Sequence, residues 1–280
     1  MTTAHDSSLT GTRVGNGVGV LPVLAWRGFD WLWHGFSTHL GGVSRVYLSE
    51  ERKGQTDSGQ LNLGYTTADA PENVHENRLR WIEAISGHRT TPLATVRQVH
   101  SNRSIVVSDT GTGEAPEADG IMTSRRGLLI GVQTADCIPV LVADPVNRAV
   151  AAFHAGWRGT VARIVELGIT RMRTEFGSDP ACLVGAIGPG IGACCYTVGE
   201  EVREKFEVNF SHSRDLFSRH GEDLRLDLTE ANRRQLLEAG LRASSIAAVG
   251  GCTSCQPEQF FSHRASGGHA GRMMAVIGIR

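Results

Sequence analysis

Residues 118–160 read ADGIMTSRRGLLIGVQTADCIPVLVADPVNRAVAAFHAGWRGT, and the fold depends on this stretch. Two short apolar runs within it, Gly127–Val132 and Val140–Ala143, are bounded by turn residues and predict buried strands. A third apolar run, Ala149–Phe153, follows the Asp144-Pro145 turn and predicts a hairpin with the second. The centre of the chain is therefore expected to be sheet.

The composition excludes several classes of protein. The 280 residues allow one large domain or two small ones, and a hydrophobic fraction of 40% with 20% charged residues is typical of soluble globular proteins. A net charge of −1 gives no sign of a nucleic-acid or acidic membrane partner. No apolar run approaches the roughly 18 residues of a membrane span. The polar N-terminus lacks a signal-peptide pattern, so we expect a cytoplasmic protein.

The rest of the chain alternates strand and helix patterns without an internal repeat, a low-complexity segment or a linker. Residues 1–20 predict a flexible polar tail, and the charged residues 50–60 predict an exposed loop. Outside the central stretch we predict strands at 31–36, 95–107 (two strands around a turn at 100–103), 183–187, 245–249 and 273–279, and helices at 71–86, 161–176, 200–206 and 229–240. Residues 21–280 therefore predict a single compact α/β domain with a mixed sheet.

Two helix starts carry residues that are typical of caps. Thr160 precedes the apolar stripe of the helix at 161–176 and is predicted to cap it. Asp227 and Glu230 have the spacing of a capping box for the helix at 229–240.

Three reactive side chains lie where predicted strands end: His100, Cys137 and His154. Strand ends that open into turns hold reactive groups on a rigid base. Two imidazole nitrogens and a thiolate are good Zn²⁺ ligands, and three protein ligands leave a fourth position for water or substrate. Their sequence spacing matches no zinc finger, and each residue also has a plain structural interpretation, as a buried thiol or a hydrogen-bonded histidine.

The same atoms suit a second chemistry. Cys137 can act as a nucleophile with His154 or His100 as its base, as in thiol hydrolases. Both chemistries need a thiolate beside an imidazole, so the residues alone leave the two open. Asp136 is a candidate to orient the reactive groups from behind, or else to cap a turn.

Anion binding is the expected role of three arginines, Arg158, Arg264 and Arg272. A guanidinium group binds phosphate through two parallel hydrogen bonds, and Arg264 and Arg272 lie just before the last predicted strand. Ordinary surface arginines are an equally good interpretation.

Other conspicuous residues are expected to have no chemical role. Cys252 and Cys255 have the spacing of a zinc or redox motif but no evident second pair, so a structural role is favoured. The adjacent Cys194 and Cys195 are expected to point to different sides of the backbone. The segment Gly188–Gly192 lacks the final glycine of a dinucleotide fingerprint and predicts a tight turn.

Six motifs taken together resemble the YfiH-like, or laccase-domain, family, also described as multicopper polyphenol oxidoreductases. The motifs are Gln98-Val-His100, Ala118-Asp-Gly120, Thr134-Ala-Asp-Cys137-x-Pro139, His154-Ala-Gly-Trp-Arg-Gly159, Ile187-Gly-Pro-Gly-Ile-Gly192 and Phe261-Ser-x-Arg264. The resemblance runs from about His34 to the C-terminus. It implies a compact α/β fold related to the cysteine-hydrolase-like domain of cytotoxic necrotizing factor.

The resemblance also implies an activity. His100, Cys137 and His154 would bind one zinc ion, and the protein would carry out phosphorolysis of adenosine, inosine, guanosine and methylthioadenosine, together with deamination of adenosine. Its partners would be a nucleoside and phosphate, and it would be a monomer or a small homo-oligomer. Relatives are also linked to polyphenol oxidation and to editing of a peptidoglycan precursor. One departure is His39, where relatives usually carry arginine, which weakens the case for phosphate binding at that turn.

The donor residues favour zinc over copper. A multicopper oxidase needs many histidines in His-x-His and His-Cys-His groups, and the 11 histidines of this chain form no such group. The leading hypothesis is a zinc-dependent purine nucleoside phosphorylase with adenosine deaminase activity. The alternatives are a metal-free Cys-His hydrolase, such as a peptidoglycan-precursor-editing amidase, and a non-enzymatic protein that senses a nucleotide or a metal. A copper-dependent polyphenol oxidase is disfavoured.

Overall fold

Two six-stranded sheets lie at the centre of the computed structural model, which describes residues 12–13, 16–48, 59–111 and 114–280. In spatial order, the first sheet contains Thr12–Arg13 (β1), Gly19–Leu21 (β2), Leu32–Ser37 (β3), Met273–Ile279 (β17), Leu128–Thr134 (β9) and Leu93–Thr95 (β6). The second contains Ile246–Ala248 (β16), Val184–Ile187 (β12), Ile138–Asp144 (β10), Ala149–Ala155 (β11), Gly120–Thr123 (β8) and Ser104–Val106 (β7). Small sheets are formed by Leu40–Gly42 (β4) with Gly59–Gln60 (β5), and by Thr197–Val198 (β13), Asp223–Leu226 (β15) and Phe217–His220 (β14).

Helices cover the outer face of each large sheet. Pro71–Ser86 (α1) packs on the first sheet, where its Trp81 is buried against Met274 and Val276. The outer face of the second sheet is covered by Trp157–Val161 (α2), Ile164–Phe176 (α3), Glu200–Asn209 (α4) and Leu228–Glu238 (α5). Short 3₁₀ turns occupy Leu24–Trp26, Pro180–Cys182, Ser213–Leu216 and Ala243–Ser245. Among the described residues, no helix combines the length and apolarity needed to cross a membrane.

The facing sides of the two sheets form the central core. Phe36 and Ile130 of the first sheet belong to the same buried cluster as Leu141 and Ala152 of the second. Each large apolar side chain buried in this way stabilises the fold by about 1.5–3 kcal/mol. The result is a four-layer α/β/β/α domain, which agrees with the single mixed α/β domain predicted from the sequence.

The central hairpin is confirmed. Strands β10 and β11 are antiparallel, with Ile138 opposite Ala155 and Asp144 opposite Ala149. Strand β9, which precedes them, lies in the other sheet. The three-residue connection from Ala135 to Cys137 therefore carries the chain from one sheet to the other.

A second crossing between the sheets lies nearby. The predicted pair of strands around 100–103 exists, but β6 belongs to the first sheet and β7 to the second. His100, in the connection between them, has a φ of 59°. Both crossings bring irregular backbone to the same end of the sandwich, which creates space for a site there.

Several sequence predictions need correction. Thr160 does not cap a long helix, because it lies inside α2, which begins after Gly156. The helical conformation is interrupted at Arg163 (φ 60°), and α3 begins after it. The capping box at α5 is half confirmed, because the Asp227 carboxylate accepts a hydrogen bond from the Glu230 N–H while the Glu230 carboxylate pairs with Arg233 and Arg234. The three-stranded sheet β13–β15 was not predicted, since its short strands lack a clear alternation.

The domain boundary is also earlier than predicted. Val18 is buried and β2 pairs with β3, so the folded region begins before residue 21. Residues 1–11, 14 and 15 of the predicted tail lie outside the described residues, as do 49–58 of the predicted loop.

Candidate active site

His100, Cys137 and His154 converge at the end of the sandwich where the chain crosses between the sheets. One side-chain donor atom from each lies within 4.8 Å of the others. The Sγ of Cys137 is 3.9 Å from the Nε2 of His100, and the two imidazole rings are 4.9 Å apart between centroids. The three residues line a cavity of about 590 Å³, a volume typical of small-molecule sites.

The second sheet fixes the position of His154. This residue lies on β11 opposite Pro139 of β10, and its side chain is buried. Its Nδ1 is 2.8 Å from a carboxylate oxygen of Asp119, which is fully buried. Because Asp119 engages Nδ1, the other ring nitrogen, Nε2, is left to face Cys137.

Asp119 also holds the segment that carries His100. Its carboxylate accepts hydrogen bonds from the backbone N–H groups of Val99, His100 and Ser101, at 3.2, 3.0 and 2.6 Å, and from the Ser101 hydroxyl at 2.8 Å. These bonds fix the turn in which His100 takes its positive φ. One buried carboxylate therefore positions two of the three converging residues.

Gly156 leaves room for the side chains of Cys137 and His100. A Cβ atom at Gly156 would lie 2.9 Å from the Sγ of Cys137 and 3.1 Å from the Cδ2 of His100. Both contacts are closer than ordinary van der Waals packing. The Gly156 in the His154-Ala-Gly motif is therefore required by the space the site occupies.

The electrostatics of the site favour a thiolate and an imidazolium in the metal-free protein. Burial by itself raises the pKa of Cys137, but the charge of His154 and hydrogen bonds from both imidazoles lower it to about 6. Burial by itself lowers the pKa of His154, but the Cys137 thiolate and the Asp119 carboxylate raise it to about 9. Burial opposes ionisation of Asp119 as well, but hydrogen bonds from His154 and Ser101 lower its pKa to about 2.

These pKa values predict how Cys137 reacts in protein stripped of metal. The thiolate is the reactive form, so the rate of alkylation at Cys137 is expected to rise through pH 6 and to be constant above about pH 7. The rate is measured with iodoacetamide by peptide mass spectrometry at each pH. In His154→Gln the midpoint is expected to move upward, toward that of an ordinary thiol. A wild-type midpoint near pH 8.5 would contradict the ion pair.

The cavity walls supply aromatic and cationic groups. The aromatic rings of Tyr65, Tyr196 and His263 line the cavity. Burial raises the pKa of Tyr196 to about 12, so its phenol stays neutral at physiological pH. A second cavity of about 460 Å³ lies alongside, and Tyr65, Gln133 and Arg272 line both.

Of the three arginines predicted to bind an anion, two line the cavity. Arg264 donates to the Thr197 carbonyl, and Arg272 donates to the Ala270 and Gly271 carbonyls. Neither forms an ion pair with a carboxylate within the described part of the chain. Arg158 is stacked on the Trp157 ring, 4.5 Å from its centroid, and is not among the cavity-lining residues.

Arg97 lines the cavity and was not predicted. It forms an exposed ion pair with Glu117, which leaves its charge partly compensated. His39 is buried against Phe261 with its Nε2 3.0 Å from the Pro257 carbonyl oxygen, and it lines neither cavity.

Asp136 makes different contacts from those of an orienting carboxylate. It has a φ of 88°, and its carboxylate accepts hydrogen bonds from the Thr253 hydroxyl and the Arg264 N–H, at 2.6 and 2.7 Å. Its carbonyl accepts from the Ile191 N–H. The carboxylate that contacts His154 is that of Asp119, in the Ala118-Asp-Gly120 motif, and the sequence alone assigned this residue no role. Asp136 instead ties together the loops that surround the cavity.

Four cysteines that were expected to have no chemical role also meet. The sulfurs of Cys194, Cys195, Cys252 and Cys255 all lie within 4.8 Å of one another. The expectation that Cys194 and Cys195 point to different sides is wrong, because each Sγ is 3.3 Å from that of Cys255. The second pair that the Cys252–Cys255 motif lacked in sequence is supplied by a distant loop.

Comparison with known proteins identifies the family. Residues 33–280 match the model of the family described as multi-copper polyphenol oxidoreductase laccase. The chain belongs to this family. The resemblance found in the sequence is thereby confirmed.

Related proteins of this laccase family have names that refer to purine nucleosides. The chain is 34% identical over 263 residues to "Purine nucleoside phosphorylase YlmD" of Geobacillus stearothermophilus, covering 89% of this chain and 94% of the relative. It is 35% identical over 251 residues to "Adenosine deaminase RL5" of an unknown prokaryotic organism, covering 84% and 94%.

Solved structures of the family share the whole fold. The hypothetical protein YfiH of Bacillus licheniformis superposes with a TM-score of 0.84 at 31% identity, covering 96% of this chain and 99% of that one. YlmD of Geobacillus stearothermophilus gives a TM-score of 0.82 at 31% identity, covering 97% and 99%. The single mixed α/β domain is thus common to this member of the laccase family and its relatives.

Proposed function

We propose that this protein is a purine nucleoside phosphorylase that also deaminates adenosine, with one Zn²⁺ bound by His100, Cys137 and His154. The observation that carries the proposal is the convergence of these three donors at a cavity that is also lined by Arg264 and Arg272, neither of which pairs with a carboxylate among the residues that the structure describes. The names of the relatives support the same substrates.

The donor set fits zinc. Two imidazoles and a thiolate within 4.8 Å match the ligand types and number of a catalytic zinc site, and the cavity leaves one side open. Asp119 on the Nδ1 of His154 is the outer carboxylate that commonly accompanies a ligating histidine. When bound, Zn²⁺ supplies a Lewis acid that polarises a water molecule or an atom of the purine.

The family description names copper, but the donors do not suit a multicopper centre. Among the residues that the structure describes, His100 and His154 are the only histidines in a cluster of three or more potential metal ligands, and they share one cysteine. A cluster of several coppers needs many more imidazoles than these. The arrangement therefore supports a single metal ion.

The protein's own residues bind and orient the substrates in this proposal. Tyr65, Tyr196 and His263 line the cavity and are the candidates to stack on a flat purine, although Arg78 and Arg264 already lie over one face of Tyr65 and of Tyr196. Arg264 and Arg272 offer guanidinium groups for phosphate, which must lie against C1′ of the ribose for phosphorolysis. An oxygen of hydrogen phosphate attacks C1′ as the bond from C1′ to the purine nitrogen breaks, and the proton of the hydrogen phosphate ends on the leaving purine, which gives ribose 1-phosphate and the neutral base.

The first test is phosphate-dependent turnover of inosine by the metal-loaded protein. We expect hypoxanthine and ribose 1-phosphate in equal amounts with phosphate present, and conversion of adenosine to inosine without it. Chromatography separates the products. Release of free ribose at the same rate without phosphate would contradict phosphorolysis, and absence of both reactions would contradict the proposal as a whole.

The arginines can be tested separately. Arg264→Gln and Arg272→Gln are each expected to raise the KM for phosphate about 10- to 100-fold, because a hydrogen bond to a charged group contributes about 1.5–3 kcal/mol. Zinc content and adenosine deamination are expected to change little. Arg158→Gln is the matched control, since Arg158 stacks on Trp157 outside the cavity lining. A larger effect in Arg158→Gln than in the other two would assign the phosphate site to Arg158.

A metal-free hydrolase is a second candidate, favoured by one observation. The Asp119 carboxylate contacts the His154 imidazole, which in turn interacts with the Cys137 thiolate, as in a nucleophilic triad. The cysteine-hydrolase-like fold implied by the resemblance agrees with this chemistry. Zinc analysis of the purified protein separates the two: about one zinc at this site leaves Cys137 bound to metal and unavailable as a nucleophile.

A further inference from the structure

Cys194, Cys195, Cys252 and Cys255 form a compact group of thiols outside the cavity. The sulfurs of Cys194 and Cys195 each lie 3.3 Å from that of Cys255, and all four lie within 4.8 Å of one another. Cys194 and Cys255 are exposed, and the other two are half-buried. We propose that these four cysteines bind one Zn²⁺, at a structural site separate from His100, Cys137 and His154.

The spacing of the sulfurs matches one metal ion. With Zn–S bonds of about 2.3 Å, tetrahedral geometry places the ligand sulfurs roughly 3.8 Å apart. Two of the observed sulfur–sulfur separations are 3.3 Å and all are within 4.8 Å, a range that includes the separation expected around one zinc ion. Four thiolates in a tetrahedral arrangement favour zinc over hard cations such as Mg²⁺ and Ca²⁺. Binding of zinc would release the thiol protons to solvent.

Backbone contacts join the two segments that carry the thiols. The Gly192 N–H donates to the Sγ of Cys252 at 3.2 Å, and Gly190 forms a parallel bridge with Cys252. A Cβ at Gly192 would lie 3.2 Å from the Cβ of Cys252 and 3.3 Å from the Sγ of Cys194. The absence of a side chain at Gly192 allows the two cysteine segments to come together.

This cluster is coupled to the cavity through one side-chain and one backbone hydrogen bond, both to Asp136. Thr253, between Cys252 and Cys255, donates through its hydroxyl to Asp136, the residue before Cys137. Ile191 donates its N–H to the Asp136 carbonyl, and both Ile191 and Tyr196 line the cavity. A metal ion at the four cysteines would therefore fix one wall of the cavity without touching the reacting atoms.

A disulfide is the competing outcome. A disulfide bond holds its sulfurs about 2.05 Å apart, and Cys255 approaches Cys194 and Cys195 equally closely although it can pair with only one of them. One fully shared ion satisfies all four sulfurs at once. The two outcomes differ in metal content and in the number of free thiols.

The test is zinc stoichiometry of the full-length protein, measured by mass spectrometry of the metal with a protein assay. We expect about two zinc ions per chain in the wild type and about one in Cys194→Ser and in Cys255→Ser. Cys182→Ser is the matched control, because Cys182 is an exposed cysteine outside both clusters, and it is expected to keep both ions. The two cluster variants are also expected to unfold at a lower temperature than the control.

The same measurement separates this proposal from the proposed function. If Cys137→Ala loses one ion while Cys255→Ser loses none, the four-cysteine site is wrong and the cavity site remains. If Cys255→Ser loses one ion while Cys137→Ala loses none, the four-cysteine site remains and the metal of the proposed function is wrong. A wild-type mass two hydrogens lower per disulfide, with no zinc sensitive to Cys255→Ser, would overturn the proposal in favour of oxidation.

Cobalt substitution provides a readout that needs no variant. Thiolate-to-cobalt charge-transfer absorption grows with the number of sulfur ligands, so a four-thiolate site is expected to give several times the near-ultraviolet absorption of a site with one thiolate. Wild-type protein reconstituted with Co²⁺ is expected to show both contributions in titration. Absorption appropriate to a single thiolate at saturation would contradict the site even if the cysteine variants fail to fold.

Discussion

Replacement of Cys137 by alanine is expected to lower kcat/KM for inosine phosphorolysis by at least about a thousandfold, corresponding to about 4 kcal/mol of lost transition-state stabilisation. The thiolate is one of the three donors proposed for zinc, and without it two imidazoles would hold the ion weakly. The zinc ion proposed for the cavity is expected to be lost in parallel. Steady-state kinetics with inosine and phosphate, and zinc analysis of the same preparations, measure both effects.

The controls for Cys137→Ala test whether the loss is local. Cys182→Ala removes an exposed thiol outside both clusters and is expected to retain wild-type kinetics and zinc. Circular dichroism is expected to show the same fold for Cys137→Ala, since the residue is only half-buried at the cavity. Retention of most of the phosphorolysis activity by Cys137→Ala would remove Cys137 from the mechanism.

Asp119→Asn is expected to be the most damaging conservative substitution. The buried carboxylate accepts five hydrogen bonds, from Val99, His100, His154 and twice from Ser101. The amide of asparagine places an NH₂ group against at least one of these donors. It also removes the negative charge that balances the imidazolium of His154. We expect the free energy of unfolding to fall by about 3–5 kcal/mol, as when one partner of a buried pair is removed.

The same substitution is expected to lower the affinity of the cavity for its proposed zinc ion. Loss of an outer-shell carboxylate typically costs 10- to 100-fold in metal affinity, about the effect we expect for zinc competition in Asp119→Asn. Ser101→Ala is the matched control: it removes one of the five hydrogen bonds, leaves His154 held, and is expected to cost about 1 kcal/mol. Urea unfolding indistinguishable from the wild type in Asp119→Asn would contradict the role assigned to this carboxylate.

The pKa of Asp119 defines the pH range in which Asp119→Asn lowers the free energy of unfolding. Because the carboxyl group has a pKa of about 2 in the folded protein, the stability that its charge contributes is fully present above its unfolded pKa, about 3.9. That stability is lost as the pH falls toward 2. The difference in unfolding free energy between wild type and Asp119→Asn is therefore expected to be constant from neutral pH to about pH 5 and to shrink below pH 4.

The two crossings between the sheets show why the sequence located the candidate residues without their arrangement. His100 and Cys137 lie at strand ends that turn residues and apolar runs mark locally. Nothing local assigns β9 and β10 to different sheets, because a buried strand has the same apolar pattern in either one. The carboxylate behind His154 was missed for the same reason: Asp119 reads as a turn residue until the strand pairing brings it under the imidazole.

The sequence by itself determined most of the helices and strands, their order, the family and the three residues that converge. These features follow from hydrophobic periodicity, turn residues and motifs, each of which is contained in a short segment of the chain. Only the tertiary structure decided which carboxylate holds His154, that Arg158 lies outside the cavity lining, and that Cys194 and Cys195 meet the Cys252–Cys255 pair. These facts depend on pairing between segments that are far apart in the chain. Such pairing is selected by the packing of the whole core, to which a local pattern contributes only one part.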